Sequence, residues 1–430
     1  MKKITIIIFA FIIVLASCGK TDNVDDGNNG GNPPDDNTVV NYTYKISGYD
    51  MALTSLVLDN NNNAYIYVKA GADYKLISIG SDGKLRWSKT LTNGTYSTDG
   101  SGIMVVNDKI LLSYRYDQLG CYTTTDGSEI WDVQLNNNYS ELAYNNDVVY
   151  VAQTTAFKNE SELTAYDLST GSKNWTEVMT SHHESCVSVD GDFICFSTSD
   201  ETNTPLKEGI TMFQDNGNTV AKLWSYYEIA DGNNPIWPRK AIFDGNGNVF
   251  YETGASDSCY VFSFNQNSGN INWKSLISPY YPPKNTLLYG GGKIMCSYYD
   301  SQMSKESVAI IDATSGTIVK ELSTIIGSIG NFQMLLTGSI ETLVFNNLNN
   351  QKPAIQLYNS NGTLSKTIDA GFYDGNIAYD IDDAKIDTHG NLVMNLGDKI
   401  LSAKLGLATI GTNTWNYSQG TNGNANTLNQ

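Results

Sequence analysis

Hydrophobic positions along this chain fall in short runs that alternate with polar residues, and clusters of Asn, Asp and Gly separate the runs. Short alternating runs bounded by turn residues predict β-strands. Four runs make one unit, and the clearest unit has them at 141–144, 148–153, 163–168 and 174–178. The turns after the first and third runs are tight, whereas the other connections vary in length. The pattern therefore predicts a repeat of four-stranded antiparallel units.

Tryptophan marks the fourth run of most units and sets the period of the repeat. Successive members lie 44 or 49 positions apart: Trp87, Trp131, Trp175, Trp224 and Trp273. A period in the forties with four strands per unit is typical of a β-propeller.

Aligning the tight turns gives eight units, so we predict an all-β, eight-bladed β-propeller of four-stranded antiparallel blades. The sixth and seventh units have Lys320 and Ser365 at the tryptophan position, and Trp415 restores the aromatic in the last unit. The first strands of the units begin near Ser55, Gly102, Glu141, Ser185, Ala241, Leu287, Phe332 and Ala384.

Two segments fit the strand that would close the ring. Residues 42–47 precede the first unit and have the pattern of a fourth strand, and so do residues 414–418, which contain Trp415. Either segment completes eight blades, and the pattern leaves both open. We assign the propeller to residues 42–418 and a flexible tail to residues 419–430.

One unit carries a complete sequence motif. Residues 165–175 read A-Y-D-L-S-T-G-S-K-N-W, which matches the pattern A-x-D-x-x-T-G-x-x-x-W. This motif resembles the docking motif of the quinoprotein-like (PQQ-repeat) propellers, and the resemblance covers roughly residues 42–417. The chain is also similar to the propeller lipoproteins of the outer-membrane β-barrel assembly machinery, which use the same repeat. Partial copies occur at Asp82-Gly83, Asp126-Gly127, and Asn265 with Ser268-Gly269.

The resemblance implies a structural role for the motif. In the family, the Asp and Thr hold the turn, the Gly takes a strained backbone position and the Trp packs between adjacent blades. We therefore expect these residues to build the scaffold: Trp87, Trp131, Ala165, Asp167, Thr170, Gly171, Trp175 and Trp273.

The N-terminal segment has the composition of a targeting signal. Lys2 and Lys3 precede an apolar run over residues 4–16, which is too short to span a membrane. The following Ala-Ser-Cys, which ends at Cys18, resembles a bacterial lipobox. The resemblance implies cleavage before Cys18 and lipidation of that residue, and several acyl chains would anchor the protein stably. An ordinary signal peptide with a chance cysteine is the alternative.

Residues 18–41 are rich in Asp, Asn, Gly and Pro, so we expect a disordered, lipid-anchored tether after a signal peptide at 1–17. The acidic stretch 22–26 resembles the export tags of Bacteroidota surface lipoproteins. The net charge is −18 and becomes more negative without Lys2 and Lys3. Such acidity argues against nucleic acid or anionic lipid headgroups as partners. We expect an outer-membrane lipoprotein that faces the periplasm or the cell surface and contacts the membrane through its lipid only.

Five cysteines follow Cys18, with neither C-x-x-C pairs nor zinc-binding spacing. An Asp190-Gly191 turn predicts a hairpin, and counting outward from it sets Cys186 opposite Cys195 at a non-hydrogen-bonded position. A disulfide fits there in an oxidising compartment. Two reduced core thiols fit as well.

Length variation is confined to the connections between second and third strands and between blades, which share one face of a propeller. We expect binding residues on that face. Aromatic rings there suit stacking on sugars or a protein hot spot, and packing between loops is the alternative. The candidates are His182, His183, Tyr226, Tyr227, Trp237, Arg239, Tyr280, Tyr281, Tyr298 and Tyr299.

No metal site is predicted. Residues 244–248 with Glu252 approach the spacing of a calcium loop, but a tight hairpin already explains them. The acidic cluster at 380–383 fits either calcium ligands or a solvated loop. The three histidines are the adjacent pair on the variable connections and the distant His389, which is a poor set for a metal.

Quinoprotein enzymes resemble the chain in fold, and that resemblance raises PQQ and calcium as cofactors. The family's cofactor pocket is roofed by a disulfide of adjacent cysteines, and this sequence has no Cys-Cys dipeptide, no C-x-x-C-H haem motif and no G-x-S-x-G motif. We therefore expect no catalytic residues and no cofactor.

The sequence thus predicts a lipid-anchored, non-catalytic propeller scaffold that binds an outer-membrane or cell-surface protein or glycan through its variable loop face. An outer-membrane assembly factor-like lipoprotein is one alternative. A PQQ-dependent quinoprotein oxidoreductase is the other.

Overall fold

The regular structure of this chain is β-strand throughout the residues that the computed structural model describes. No helix in this part of the chain is long and apolar enough to cross a membrane. The described residues are 39–404, apart from 92–101, 115–116, 137–138, 156–159, 181–185, 201–206, 230–240, 255–257, 279–286, 301–304, 324–331, 338, 349–351, 360–362 and 370–382.

The first strand, β1 (Val39–Lys45), precedes blade 1. Blade 1 contains β2 (Tyr49–Ala52), β3 (Val57–Leu58), β4 (Ala64–Ala70), β5 (Asp73–Ile79) and β6 (Leu85–Thr90). Blade 2 contains β7 (Ile103–Val106), β8 (Lys109–Tyr114), β9 (Gln118–Thr123) and β10 (Glu129–Gln134). Blade 3 contains β11 (Tyr139–Asn145), β12 (Val148–Thr155), β13 (Glu160–Asp167) and β14 (Lys173–Thr180). Blade 4 contains β15 (Cys186–Asp190), β16 (Phe193–Asp200), β17 (Lys207–Asp215) and β18 (Val220–Ile229).

The second half of the chain repeats this arrangement. Blade 5 contains β19 (Ala241–Phe243), β20 (Asn248–Thr253), β21 (Cys259–Asn265) and β22 (Ile271–Ser278). Blade 6 contains β23 (Leu288–Gly290), β24 (Lys293–Asp300), β25 (Lys305–Asp312) and β26 (Ile318–Ser323). Blade 7 contains β27 (Phe332–Thr337), β28 (Ser339–Leu348), β29 (Lys352–Tyr358) and β30 (Leu364–Asp369). Blade 8 contains β31 (Asp383–Ile386), β32 (Asn391–Leu396) and β33 (Lys399–Lys404), together with β1.

The strands form eight antiparallel sheets, which confirms the predicted eight-bladed propeller. In blades 1 to 7 the order within the sheet follows the chain, as expected for strands joined by hairpins. The first strand of each blade contacts the first strand of the next, from β3 through β31, so these strands surround the axis. Blade 1 differs because two short strands, β2 and β3, pair with β4 in place of one continuous first strand.

Strand β1 closes the ring. It pairs with β33 from Val39 opposite Lys404 to Lys45 opposite Lys399, and so forms the fourth strand of blade 8. Of the two segments that fitted this position, the N-terminal one occupies it. Its bounds differ from the prediction, because the strand covers Val39–Lys45 in place of residues 42–47, and so residues 39–41 belong to the propeller and not to the tether. Residues 414–418 lie outside the described residues.

The junction between blades 8 and 1 also has polar contacts of its own. Asn62 Nδ2 donates to Thr388 Oγ1 at 2.8 Å, and Asn62 Oδ1 accepts from the Thr388 backbone N–H at 2.9 Å. His389 Nδ1 lies 2.7 Å from the same amide nitrogen of Asn62. The two ends of the ring therefore meet through hydrogen bonds as well as through a shared apolar core that includes Ile66, Val68, Ile77, Val393 and Ile400.

The repeated tryptophans pack against the following blade, at the turn between its third and fourth strands. The indole Nε1 of Trp131 donates to Leu168 O at 2.9 Å, and Trp175 Nε1 donates to the Asp215 carboxylate at 3.0 Å. The other docking indoles also donate to backbone carbonyl oxygens of the following blade: Trp87 to Thr124 O at 3.1 Å, Trp224 to Gln266 O at 2.9 Å and Trp273 to Ala313 O at 3.0 Å.

Glycine at these turns makes room for the indole ring. Gly171 has a φ of 69°, which suits glycine, and a Cβ at this position would lie 2.7 Å from the Trp131 ring. Gly127, Gly269 and Gly316 face Trp87, Trp224 and Trp273 in the same way. The Gly of the motif thus serves both the turn and the close approach of the preceding blade.

Tyr42 is the docking aromatic of blade 8. It lies on β1, and a side chain on Gly83 of the next blade would collide with its ring. Burial, with a contribution from Asp387 and Asp82, raises the pKa of Tyr42 to about 12. The sequence pattern pointed to Trp415 for this blade, and that residue lies outside the described residues.

The predicted pairing of Cys186 with Cys195 is wrong. Asp190 lies in the strand and pairs with Phe193, so the register sets Cys186 opposite Ser197 and Cys195 opposite Ser188. The two cysteines are therefore diagonal neighbours, whose typical separation of about 7–8 Å exceeds the Cα–Cα distance of about 4.4–6.8 Å that a disulfide usually bridges. Both are free and buried.

Candidate partner-binding face

The two ends of the propeller carry different kinds of connection. The turns between first and second strands and between third and fourth strands lie at one end, which we call the turn face. The connections between second and third strands and between blades leave from the other end, which we call the variable face. Because strands in a blade are antiparallel, the ends of every second and fourth strand reach the variable face.

Hairpins on the turn face account for the calcium-like sequence at 244–248. Asp244 Oδ1 accepts the backbone N–H groups of Asn246 and Asn248 at 2.7 and 3.0 Å, and Asn248 Nδ2 donates to Asp244 Oδ2 at 2.6 Å. The same three bonds recur around Asp59 and Asp387. These carboxylates stabilise hairpins, and the D-x-x-x-N spacing is a repeat signal that the sequence analysis missed.

Most of the predicted ligand residues fall on connections that the structure leaves out. The backbone of Tyr299 belongs to β24, but its side chain is not among those described. The residues outside the described part are His182, His183, Trp237, Arg239, Tyr280 and Tyr281. Their contribution to binding stays a prediction.

Two of the described candidates pack between blades. Tyr298 is 8% exposed and lies in the apolar core that blades 4 to 6 share. The Tyr226 ring lies 5.2 and 4.9 Å from Phe262 and Phe264 of blade 5, measured between centroids. Burial raises the pKa of both tyrosines. Side-chain alternation along the strands turns these rings toward the neighbouring blade.

Among the candidates whose side chains are described, Tyr227 is the exposed one. It points away from the face of β18 that carries Tyr226, and 42% of it is accessible to solvent. It pairs with Gly209 of β17, and a Cβ on that glycine would lie 2.7 Å from the tyrosine ring. The absence of a side chain at Gly209 therefore lets the ring lie against its own sheet.

Exposed apolar residues accompany Tyr227 near the variable face of three consecutive blades. Val178, Tyr227 and Leu276 each lie three residues after the docking tryptophan of their blade, and they are 51%, 42% and 45% exposed. Ile229, the last residue of β18, is 58% exposed. We call these four residues the apolar stripe.

The repeat itself does not account for the stripe. In blades 1 and 2 the position three residues after the docking tryptophan holds Thr90 and Gln134. Near the turn face, by contrast, exposed aliphatic residues recur in most blades and follow the repeat: Leu85, Ile130, Leu223, Ile271, Val319 and Leu364. Among the side chains that the structure describes, exposed apolar residues at this position occur in blades 3 to 5, which distinguishes the stripe from the exposed positions near the turn face.

Lys274 connects the outer strands of blades 4 and 5 near the variable face. Its Nζ lies 2.7 Å from Glu228 Oε1 and 4.2 Å from the centroid of the Tyr260 ring. Tyr226 Oη donates to the same carboxylate oxygen at 3.0 Å. These contacts hold the strand ends that carry the stripe in a defined position.

Two fully buried glutamates lie between blades 4, 5 and 6. Tyr251 Oη donates to Glu208 Oε1 at 2.9 Å, which joins blade 5 to blade 4. Cys296 Sγ donates to Glu252 Oε2 at 3.4 Å, which joins blade 6 to blade 5. Within the described residues, no three His, Cys, Asp or Glu side chains come together as metal ligands.

The cysteines do not fit the roof of a quinone pocket. The five thiols in the described part lie on five different strands, β9, β15, β16, β21 and β24, and each is buried. A disulfide of adjacent cysteines, which the quinoprotein resemblance implies, has no counterpart among them.

Comparison with solved structures shows the same fold in proteins of diverse kinds. The structure of BamB from Moraxella catarrhalis is 11% identical, with a TM-score of 0.55, and the match covers 86% of this chain and 98% of that one. The quinohemoprotein alcohol dehydrogenase ADHIIG from Pseudomonas putida HK5 is 10% identical, with a TM-score of 0.56, over 86% of this chain and 77% of that one. The computationally designed Ika8 protein is 10% identical, with a TM-score of 0.58, over 84% and 98%. Identities this low establish the fold alone.

The sequence comparisons are more specific. No curated protein matches the chain. The PQQ_2 family model, described as outer membrane protein assembly factor BamB, matches residues 72–322, which is more than half of the chain. The matched segment contains the five docking tryptophans of blades 1 to 5. The chain therefore belongs to the PQQ-repeat propeller family described as outer membrane protein assembly factor BamB.

Proposed function

We propose that this chain is a lipid-anchored, non-catalytic scaffold at the outer membrane that binds a partner protein through its variable face. The apolar stripe on blades 3 to 5 is the observation that carries the proposal. Exposed apolar residues that cluster on one side of a soluble domain mark interaction sites more often than single exposed residues do. Family membership supports an assembly factor-like role for such a scaffold.

The composition of the stripe favours a protein over a glycan. Val178, Ile229 and Leu276 have aliphatic side chains, which offer no hydrogen bonds to sugar hydroxyls. Apolar side chains around an aromatic residue form the desolvated centre of protein interfaces, and Tyr is among the residue types that contribute most to binding energy there. The ion pair of Lys274 with Glu228 adds polar groups beside the stripe.

Replacing Ile229 by aspartate is expected to lower recovery of the partner by about tenfold or more, because the change puts a charge in the desolvated part of the interface. The measurement is the amount of outer-membrane protein that co-purifies with the tagged full-length chain. Ile271→Asp is the matched control, since Ile271 is an exposed isoleucine on the fourth strand of blade 5 near the turn face. Equal recovery with both variants would contradict the proposal.

The assembly-factor form of the proposal names the partner class. It expects the co-purified material to contain the β-barrel insertion complex, and a deletion strain to have lowered levels of outer-membrane barrel proteins. Normal levels of barrel proteins in that strain would exclude the assembly-factor role and indicate a scaffold that binds a different partner protein. Retention on a glycan array that Tyr227→Ala abolishes, without any co-purified protein, would overturn the choice of a protein partner.

The quinoprotein alternative has a separate test. Adding pyrroloquinoline quinone with Ca²⁺ is expected to leave the absorbance spectrum and the thermal midpoint of the protein unchanged. A cofactor that bound the native state would raise the midpoint by mass action. A saturable spectral change together with a higher midpoint would establish the oxidoreductase alternative instead.

A further inference from the structure

Two cysteines meet across the interface between blades 5 and 6. Cys259 begins β21 and Cys296 lies within β24, so 37 positions of sequence separate them. Their Sγ atoms are 3.4 Å apart, and both side chains are fully buried in one apolar core. A disulfide has an S–S length of about 2.05 Å, so small movements of the two side chains would bring the sulfurs to bonding distance.

The surrounding contacts orient both thiols. Cys296 Sγ donates to Glu252 Oε2 at 3.4 Å, and either sulfur can be the donor in the hydrogen bond between the two thiols. This bond with Cys259, together with burial, raises the pKa of the Cys296 thiol well above its usual value. The Cys296 thiol therefore stays protonated at neutral pH and reacts slowly, because the thiolate is the nucleophile.

The remaining cysteines have no such arrangement. Cys186 and Cys195 are diagonal neighbours within one hairpin. Cys121 packs in the core between blades 2 and 3, among apolar side chains such as Leu119 and Leu142. Among the described thiols, the pair Cys259 and Cys296 is thus the one whose geometry suits a crosslink.

We propose that Cys259 and Cys296 form an inter-blade disulfide when the protein meets a small uncharged oxidant of the hydroperoxide class. One thiol is oxidised by hydrogen peroxide to a sulfenic acid with release of water, and the other thiol attacks that sulfur and displaces a second water. In sum, two thiols and one hydrogen peroxide give one disulfide and two waters. A small neutral oxidant is needed because the site is closed to larger reagents.

The crosslink would join covalently two blades that otherwise contact each other through packing and hydrogen bonds. Cys259 pairs with Ser278, the last residue of β22, so the staple lies at the base of the connection from blade 5 to blade 6. A crosslink between distant residues stabilises mainly by restricting the unfolded chain. The inference is independent of the partner proposed above, because it concerns the core beneath the variable face.

The test uses the full-length lipidated protein, reduced and then incubated with hydrogen peroxide for hours at pH 8.5 to offset the slow reaction. Free thiols are alkylated under denaturing conditions, and non-reducing peptide mapping locates any crosslink. We expect one linked pair of peptides, joining Cys259 to Cys296, whose mass is two hydrogens less than the sum of the two reduced peptides. Dithiothreitol should separate the pair. The thermal midpoint should rise by about 2–6 °C on oxidation.

Single variants control for folding and for other oxidation products. Cys259→Ala should lose both the linked peptides and the rise in midpoint, whereas Cys195→Ala should keep both. The mapping of the unaltered protein decides the matter even if a variant fails to fold. Full alkylation of both thiols after peroxide, sulfinic acid at either one without a crosslink, or a Cys186–Cys195 link would overturn the proposal.

Discussion

Trp131→Ala is expected to lower the free energy of unfolding by about 3–5 kcal/mol, the range found when a buried aromatic side chain is truncated to alanine. Trp131 is 8% exposed, its Nε1 donates to Leu168 O, and its ring lies on Gly171 of the following blade. The truncation removes the ring from the interface between blades 2 and 3 and leaves Leu168 O without this donor. Urea denaturation of both proteins, followed by circular dichroism, measures the difference.

Trp131→Phe separates the ring from its hydrogen bond. It keeps most of the apolar contact and removes the Nε1 donor, so its effect should be smaller, near the value of about 1–2 kcal/mol for one buried hydrogen bond and some lost volume. If Trp131→Ala destabilised the protein no more than Trp131→Phe, packing of the indole would not hold the blades together.

Deleting β1 is expected to have an even larger effect. A chain that begins at Ile46 lacks the fourth strand of blade 8 and the Tyr42 ring that packs on Gly83. The backbone groups of β33 that pair with β1 would then have no partners. Several lost hydrogen bonds at about 1 kcal/mol each, together with a lost aromatic side chain, amount to more than about 5 kcal/mol. Thermal denaturation should show a lower midpoint and a less cooperative transition.

A chain that begins at Val39 is the control for this deletion. It lacks the segment for which we predict a tether but keeps β1, so its thermal midpoint should equal that of the full-length protein. If the chain that begins at Ile46 unfolded at the same midpoint as this control, another segment would have to close the ring. Residues 414–418 fit that position by sequence, and a further truncation after Lys404 would then identify them.

Much of the fold could be predicted because the repeat combines local and long-range signals. The tryptophan period indicated a propeller, and alignment of the tight turns, which residues such as Gly171 mark, indicated eight blades. Ring closure was ambiguous for a physical reason. Any strand of suitable pattern can pair with β33. The docking aromatic of blade 8 is Tyr42, where blades 1 to 5 have tryptophan, so the tryptophan motif does not identify the closing strand.

The hairpin register shows where local rules were insufficient. The dipeptide Asp-Gly is a strong signal for a type I′ turn in which glycine is the second central residue. A turn of that kind at Asp190-Gly191 would place Cys186 opposite Cys195. In the structure Gly191, with a φ of 55°, takes the first central position, where a type II′ turn requires glycine. Moving the turn by one residue shifts each cross-strand partner by two, which is enough to part the thiols.

The candidate site was predictable in its location and not in its residues. Tyr226 and Tyr227 are adjacent and equally aromatic, yet one packs on Phe264 and the other is exposed. Alternation along a strand decides this, and the sequence alone does not say which face is turned to the neighbouring blade. Aligning the blades on tryptophan would have revealed the stripe, since blades 1 and 2 have Thr90 and Gln134 at its position.

The most direct test of partner binding is site-specific photo-crosslinking in living cells. A photoreactive residue replaces Tyr227 in one strain and Ile271 in another, and crosslinked products are identified by mass spectrometry. We predict a defined outer-membrane protein attached at position 227 and no such product at position 271. Crosslinks to the same protein at both positions, or at position 271 alone, would contradict binding through the variable face.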